Sequence, residues 1–162
     1  MSARGCLAGL LVLLALLAFA GPLAAREVCV PFKAVGITTS VEGPFPVPGR
    51  PDQFALELAG KGRGTHLGNM TSMATVVFTL AEVAPGVWVP VAFEGNLTFV
   101  AANGDELYVT TAGVPTGPDS GVGAYAITGG TGRFEGASGS GSFEKAADIG
   151  TFDGNIRLVR GK

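Results

Sequence analysis

The sequence predicts an all-β domain preceded by a helical signal peptide, on three observations: alternation at the strand period, abundant glycine, and turn residues at the breaks. Beyond the first 25 residues, helix formers never gather at a 3.6-residue spacing, whereas apolar and polar residues alternate repeatedly. Glycine accounts for 26 of the 162 residues, as tight turns and bulges require.

Residues 29–37 supply a first strand. The following stretch, residues 43–51 (GPFPVPGRP), carries prolines that lack a donor, which predicts an exposed crossing loop. Phe54, Leu56 and Leu58 then alternate with Ala55, Glu57 and Ala59, and Ala74, Val76, Phe78 and Leu80 alternate with Thr75, Val77 and Thr79. The longest alternation places Val89, Val91, Phe93, Gly95, Leu97, Phe99 and Ala101 on one face. Leu107, Val109 and Thr111 oppose Glu106, Tyr108 and Thr110; Tyr125 and Ile127 follow, and Phe152, Ile156 and Leu158 close the series. Ala84-Pro85-Gly86 and Asn103-Gly104-Asp105 read as short connectors, residues 115–121 as a longer loop. About eight antiparallel strands is a number at which a small barrel closes, although a two-sheet sandwich has the same periodicity.

The segment ITGGTGRFEGASGSGSF, residues 127–143, is the most distinctive. Gly129, Gly130, Thr131, Gly132, Phe134 and Gly139 stand where the allene oxide cyclase and dirigent superfamily carries a GGTG-aromatic turn, and the chain resembles that superfamily here. A second stretch, residues 60–78, resembles uncharacterised secreted bacterial proteins of the same barrel type. The resemblance implies an eight-stranded antiparallel barrel with an apolar interior. In those families the interior holds a fatty-acid epoxide or phenolic intermediates. The glycine motif is a structural turn there, so it carries the fold and no catalytic residue.

The N-terminus reads as a leader: Arg4, an apolar run over residues 7–20, a Gly21-Pro22 break, then Ala24 and Ala25. The run is about 14 residues, short of the ~20 that span a bilayer. Residues 1–25 are therefore expected to be removed, with residues 18–20 as an alternative processing site, leaving residues 26–162 as one secreted or periplasmic domain without a stable membrane anchor. Cys6 leaves with the leader, so Cys29 stands alone and cannot form an internal disulfide. It is expected to be buried, with a disulfide-linked homodimer or a reactive thiol as alternatives. Ten basic residues then face thirteen acidic ones with no basic block, which argues against nucleic-acid capture.

Candidates for chemistry are few. His66, the sole histidine, can serve as a general base or as a rim residue fixing the turn before Gly68. Strand parity from Phe54 aims it inward unless a bulge among Gly60, Gly62 and Gly64 reverses the face. Tyr108 and Tyr125 can place a phenol at a cavity wall or simply pack in strands. Arg133 and Glu135 read as a solvated cross-strand pair, and Asp105, Asp119 and Asp148 as turn caps. Asn69 and Asn96 begin glycosylation sequons, relevant only to a eukaryotic secretory route. No metal site, cofactor loop or nucleophile elbow is read. The leading expectation is non-catalytic binding of a small apolar ligand. The alternatives are a cyclase or isomerase using His66 and Tyr125, and a dimeric interaction module. Whether Phe54, Phe78, Phe93, Phe99 and Phe143 fill the interior or line it separates these readings.

Overall fold

The computed structural model describes residues 26–160, and the expected leader lies outside them. Eight strands follow one another: β1 (Arg26–Val47), β2 (Arg50–Gly64), β3 (Gly68–Ala84), β4 (Val87–Val100), β5 (Glu106–Gly117), β6 (Ser120–Gly130), β7 (Ser138–Ala146) and β8 (Ile149–Arg160). Each pairs antiparallel with the next, and β8 returns to β1, so one sheet closes into an up-and-down barrel rather than a sandwich. Closure removes the free edges that such a sheet would otherwise expose.

The proline-rich stretch is strand, not a loop. β1 continues through Phe45 and Pro46, which pair with Ala55 and Phe54, and only Pro48 and Gly49 turn the chain. The reason is positional. β1 parts from β8 beyond the Ile37–Ile149 pair, and β4 meets β5 only from Phe93 onward. Pro44, Pro46 and Pro90 thus fall on stretches without a strand partner on one side, the kind of position at which sheets tolerate proline. Residues 115–121 are likewise mostly strand, with Pro115 opposite Gly121 and a turn confined to Pro118 and Asp119.

Inner-face residues align in rows across the barrel. One runs Phe54, Phe78, Phe93, Gly113, Gly123, Phe143, Phe152. Gly113, together with Gly121, lets the Phe93 ring lie against the wall and meet Phe143 edge-on, with ring centroids 6.0 Å apart. A Cβ on Gly113 would stand 2.7 Å from that ring. The next row repeats the device: Tyr125 lies across Gly141 and Gly154 and reaches Phe32, centroids 5.9 Å apart. Much of the glycine content is thereby explained, since large rings need bare backbone beside them.

Parity fails in one place. Val91, expected inside, is exposed because a register shift between Thr79 and Leu80 bulges β4 there. Cys29, expected to be buried, is also exposed. Val28, Val30 and Phe32 take the inner positions of β1, and period-2 alternation turns the cysteine outward.

One end of the barrel is plugged. Leu67 from the β2–β3 turn, Ala101 from the β4–β5 link and Phe134 from the β6–β7 link are buried together with Leu107. Phe134 belongs to a 3-10 turn (Gly132–Phe134) and is wholly buried. Asp105 clasps that turn: its carboxylate accepts Asn103 Nδ2–H at 2.7 Å and the Arg133 backbone N–H at 3.2 Å. A Cβ on Gly132, whose φ is +55°, would run into the same carboxylate. Arg133 and Glu135, expected on paired strands, instead occupy the turn and its cap, with the Arg133 guanidinium 5.0 Å over the Phe134 ring. The Asn103 hydrogen bond, then the Arg133 N–H and guanidinium, hold the Asp105 carboxyl below its ordinary range. A depressed carboxyl stabilises the fold above the unfolded value near 3.8, and that stability is lost as pH falls through the folded value. Asp105→Ala is therefore expected to lower the melting midpoint at pH 7, by a gap that narrows as pH falls below 3.8 through the folded value. Thermal melts across pH 2.5–7 check this (an unchanged gap over that range would contradict it).

Candidate functional site

At the opposite end the barrel is open. The turns at Pro48–Gly49, Pro85–Gly86, Pro118–Asp119 and Ala147–Asp148 surround a mouth rather than a plug. Below it lies a cavity of about 500 Å³, within the range typical of small-molecule pockets. Leu56, Leu58, Val76 and Leu97 form its aliphatic wall. The rest of the lining is aromatic: Phe78, Phe93, Phe143, Phe152 and Phe99 succeed one another at centroid distances of 5.0–6.0 Å. Phe54 stacks behind Phe78 at 5.1 Å. The phenylalanines therefore line the interior and leave space between them.

Among the described residues, the polar side chains in the depth carry hydroxyls only. These are Ser72 and Thr111, the latter 6% exposed, whereas Thr38 lies toward the mouth, its backbone N–H bonded to the Asp148 carbonyl. The mouth adds Asp119, Ser120 and Lys145. Thr111 was legible from its alternation with Leu107 and Val109. Lys145 was missed as a site residue, although it continues the inward parity of Gly139, Gly141 and Phe143.

The residues singled out from sequence do not converge. His66 is exposed in the β2–β3 turn at φ +64°, at the plugged end. No bulge redirects it: β2 pairs with β3 in unbroken register to Gly64, and the strand ends there. His66 borders a smaller hollow of about 250 Å³ with Arg133, Leu158 and Val159. Tyr108 points outward and donates its hydroxyl hydrogen to Glu106 Oε2 at 2.8 Å. That bond holds its phenol above the ordinary value of 10.0. Tyr125 is 3% exposed and lies beneath the cavity floor, packed on Phe32 and Phe152. Among the described residues no three His, Cys, Asp or Glu side chains gather as metal ligands would. Of the turn motif, Gly129, Gly130, Thr131, Gly132 and Phe134 carry the chain from β6 into the plug, and Gly139 lies on the inner face of β7.

Tyr125 Oη is buried without a hydrogen-bond partner among the described residues. Burial, with a smaller contribution from the Asp153 carboxylate, pushes the phenol up to about 12. The neutral phenol is thus favoured in the fold. Stability is unaffected below the unfolded value near 10.0 and falls as pH rises toward about 12. Tyr125→Phe is expected to remove this alkaline loss. At pH 7 it should be neutral or stabilise by up to about 1 kcal/mol, because an unpaired buried hydroxyl disappears. Melting midpoints between pH 8 and 12 check both points; identical alkaline limbs in the two proteins would contradict them.

Fold and cavity together define a closed eight-stranded antiparallel β-barrel with an apolar pocket opening at one end. No family model matches the chain, and no curated protein matches it. Among solved structures it is similar to a pyocyanin demethylase at 16% identity and a TM-score of 0.47, over 81% of this chain and 98% of that one. It is also similar to a pterocarpan synthase dirigent protein at 13% identity and a TM-score of 0.48, over 88% of this chain and 90% of that one. Neither likeness assigns a reaction to this chain.

Proposed function

We propose that the protein is an exported barrel that binds one small apolar molecule in its cavity without chemical turnover. The observation that carries this is the lining of the roughly 500 Å³ pocket: rings and aliphatic chains, with only hydroxyls in the depth. Burying an apolar ligand there gains about 25 cal/mol per Å² removed from water. General acid–base catalysis needs a titratable group within reach of the bound molecule. The two groups proposed for that work, His66 and Tyr125, lie at the far end and beneath the floor, so the cyclase or isomerase reading loses its named residues. Export rests on the leader-like residues 1–25.

Native mass spectrometry of protein purified from its own host tests the proposal. One small apolar molecule per chain, released when the barrel is unfolded in organic solvent, is the expected result. Polypeptide mass alone, in preparations never exposed to detergent or solvent, would contradict it.

A further inference from the structure

Resting on the binding reading above, the mouth of the cavity carries a feature that an all-apolar ligand would leave unused. Lys145 is the one cation among the described residues that line the cavity. It sits on the inner face of β7, one inward position beyond Phe143. Its cross-strand neighbours are Gly121 and Gly150, so no side chain crowds it from either flank. The ammonium donates to the Ala147 carbonyl, which occupies one of its three donors. Four other basic residues have carboxylate partners, Lys33 with Asp153, Arg50 with Asp52, Arg133 with Asp105 and Arg157 with Glu27, while Arg63 donates to Asn69 Oδ1 instead. Lys145 has no carboxylate within 4.0 Å among the described residues, although Asp119 stands on the same rim.

We infer that the ligand is an amphiphile: an apolar body seated among the phenylalanines, and one anionic group (carboxylate, sulfonate or phosphate) received by Lys145 at the mouth. Burying the body places the head where an ammonium with two free N–H groups meets low-dielectric walls. Charge-assisted hydrogen bonds are strongest in such a setting. Asp119, in the β5–β6 turn beside the end of β7, repels the anion and so lowers its affinity.

Two fluorescent probes built on the same N-phenylnaphthylamine framework test this: neutral N-phenyl-1-naphthylamine and its 8-sulfonate. Lys145→Met is expected to weaken the sulfonate roughly tenfold while changing the neutral probe less than about twofold, a tenfold change being about 1.4 kcal/mol. Lys145→Arg should retain the preference, and Asp119→Asn should strengthen sulfonate binding. Circular dichroism and melting midpoints establish that each variant is folded. Equal loss of both probes in Lys145→Met, or an unchanged sulfonate affinity, would overturn the inference while leaving the binding reading standing. Failure of the wild-type protein to bind either probe would overturn both.

Discussion

Gly141→Ala is expected to destabilise the barrel by about 3 kcal/mol, lowering the melting midpoint by roughly 10 °C. Ordinary strand preference points the other way, because alanine is the better strand residue. The site decides. A Cβ on Gly141 would fall on the Asp153 carbonyl oxygen, 2.7 Å from Gly154 Cα and 2.7 Å from the Tyr125 ring. Two of those three are backbone atoms of β8, which cannot rotate aside. The third belongs to a ring already confined between Phe32 and Phe152. Relief requires moving β8 away from β7 or expelling Tyr125 from its glycine bed. Ser140→Ala, one residue away on the exposed face, is the matched control and should change stability by less than about 0.5 kcal/mol. Thermal or urea denaturation of the pair checks the expectation. Equal stability of the two variants would mean that Tyr125 does not lie across this glycine.

Phe134→Ala is expected to cost roughly 3–5 kcal/mol, since it empties a wholly buried aromatic site at the plugged end. Its neighbours cannot collapse freely. Gly130 approaches the Phe134 Cβ from β6, and the Thr131 and Glu106 backbones are tied together at 2.8 Å. A domain of this size has a total stability on the order of 5–15 kcal/mol, so a large share of it rests on this one ring. Urea denaturation gives the number directly. A loss below about 1 kcal/mol would show that the plug is loosely packed.

Both residues belong to segments whose structural importance was partly legible in the sequence, and they show where legibility stops. Alternation from Phe93 to Ala101 and the Gly129–Phe134 motif named the strands and the turn. Periodicity also gave inner faces correctly where pairing was regular, as for Thr111 and Ile156. What it could not give was depth along the barrel. Tyr125 shares a face with the cavity-lining residues, yet it lies below their floor, packed on Phe32 and Phe152 over the bare backbone of Gly141 and Gly154. Composition misled at residues 43–51, where proline argued against strand and the single-partner edge of β1 removed the objection. It misled again at Cys29, where the usual burial of cysteine lost to the alternation of Val28 and Val30. His66 lay just past the last paired residue of β2, and a parity argument has no force beyond the end of a strand.

The central claim is that the barrel holds an apolar molecule between its phenylalanine and leucine walls. Ala74 faces the cavity from β3, opposite Leu58 and Leu97, so Ala74→Trp fills the cavity from within without touching the plug. The most direct measurement is a fluorescence titration of neutral N-phenyl-1-naphthylamine into wild type and this variant, with circular dichroism confirming the fold of both. The expected result is saturable one-to-one binding by wild type and an affinity at least about tenfold weaker in Ala74→Trp, a difference of about 1.4 kcal/mol. Equal binding by the two folded proteins would place the probe elsewhere and contradict the claim.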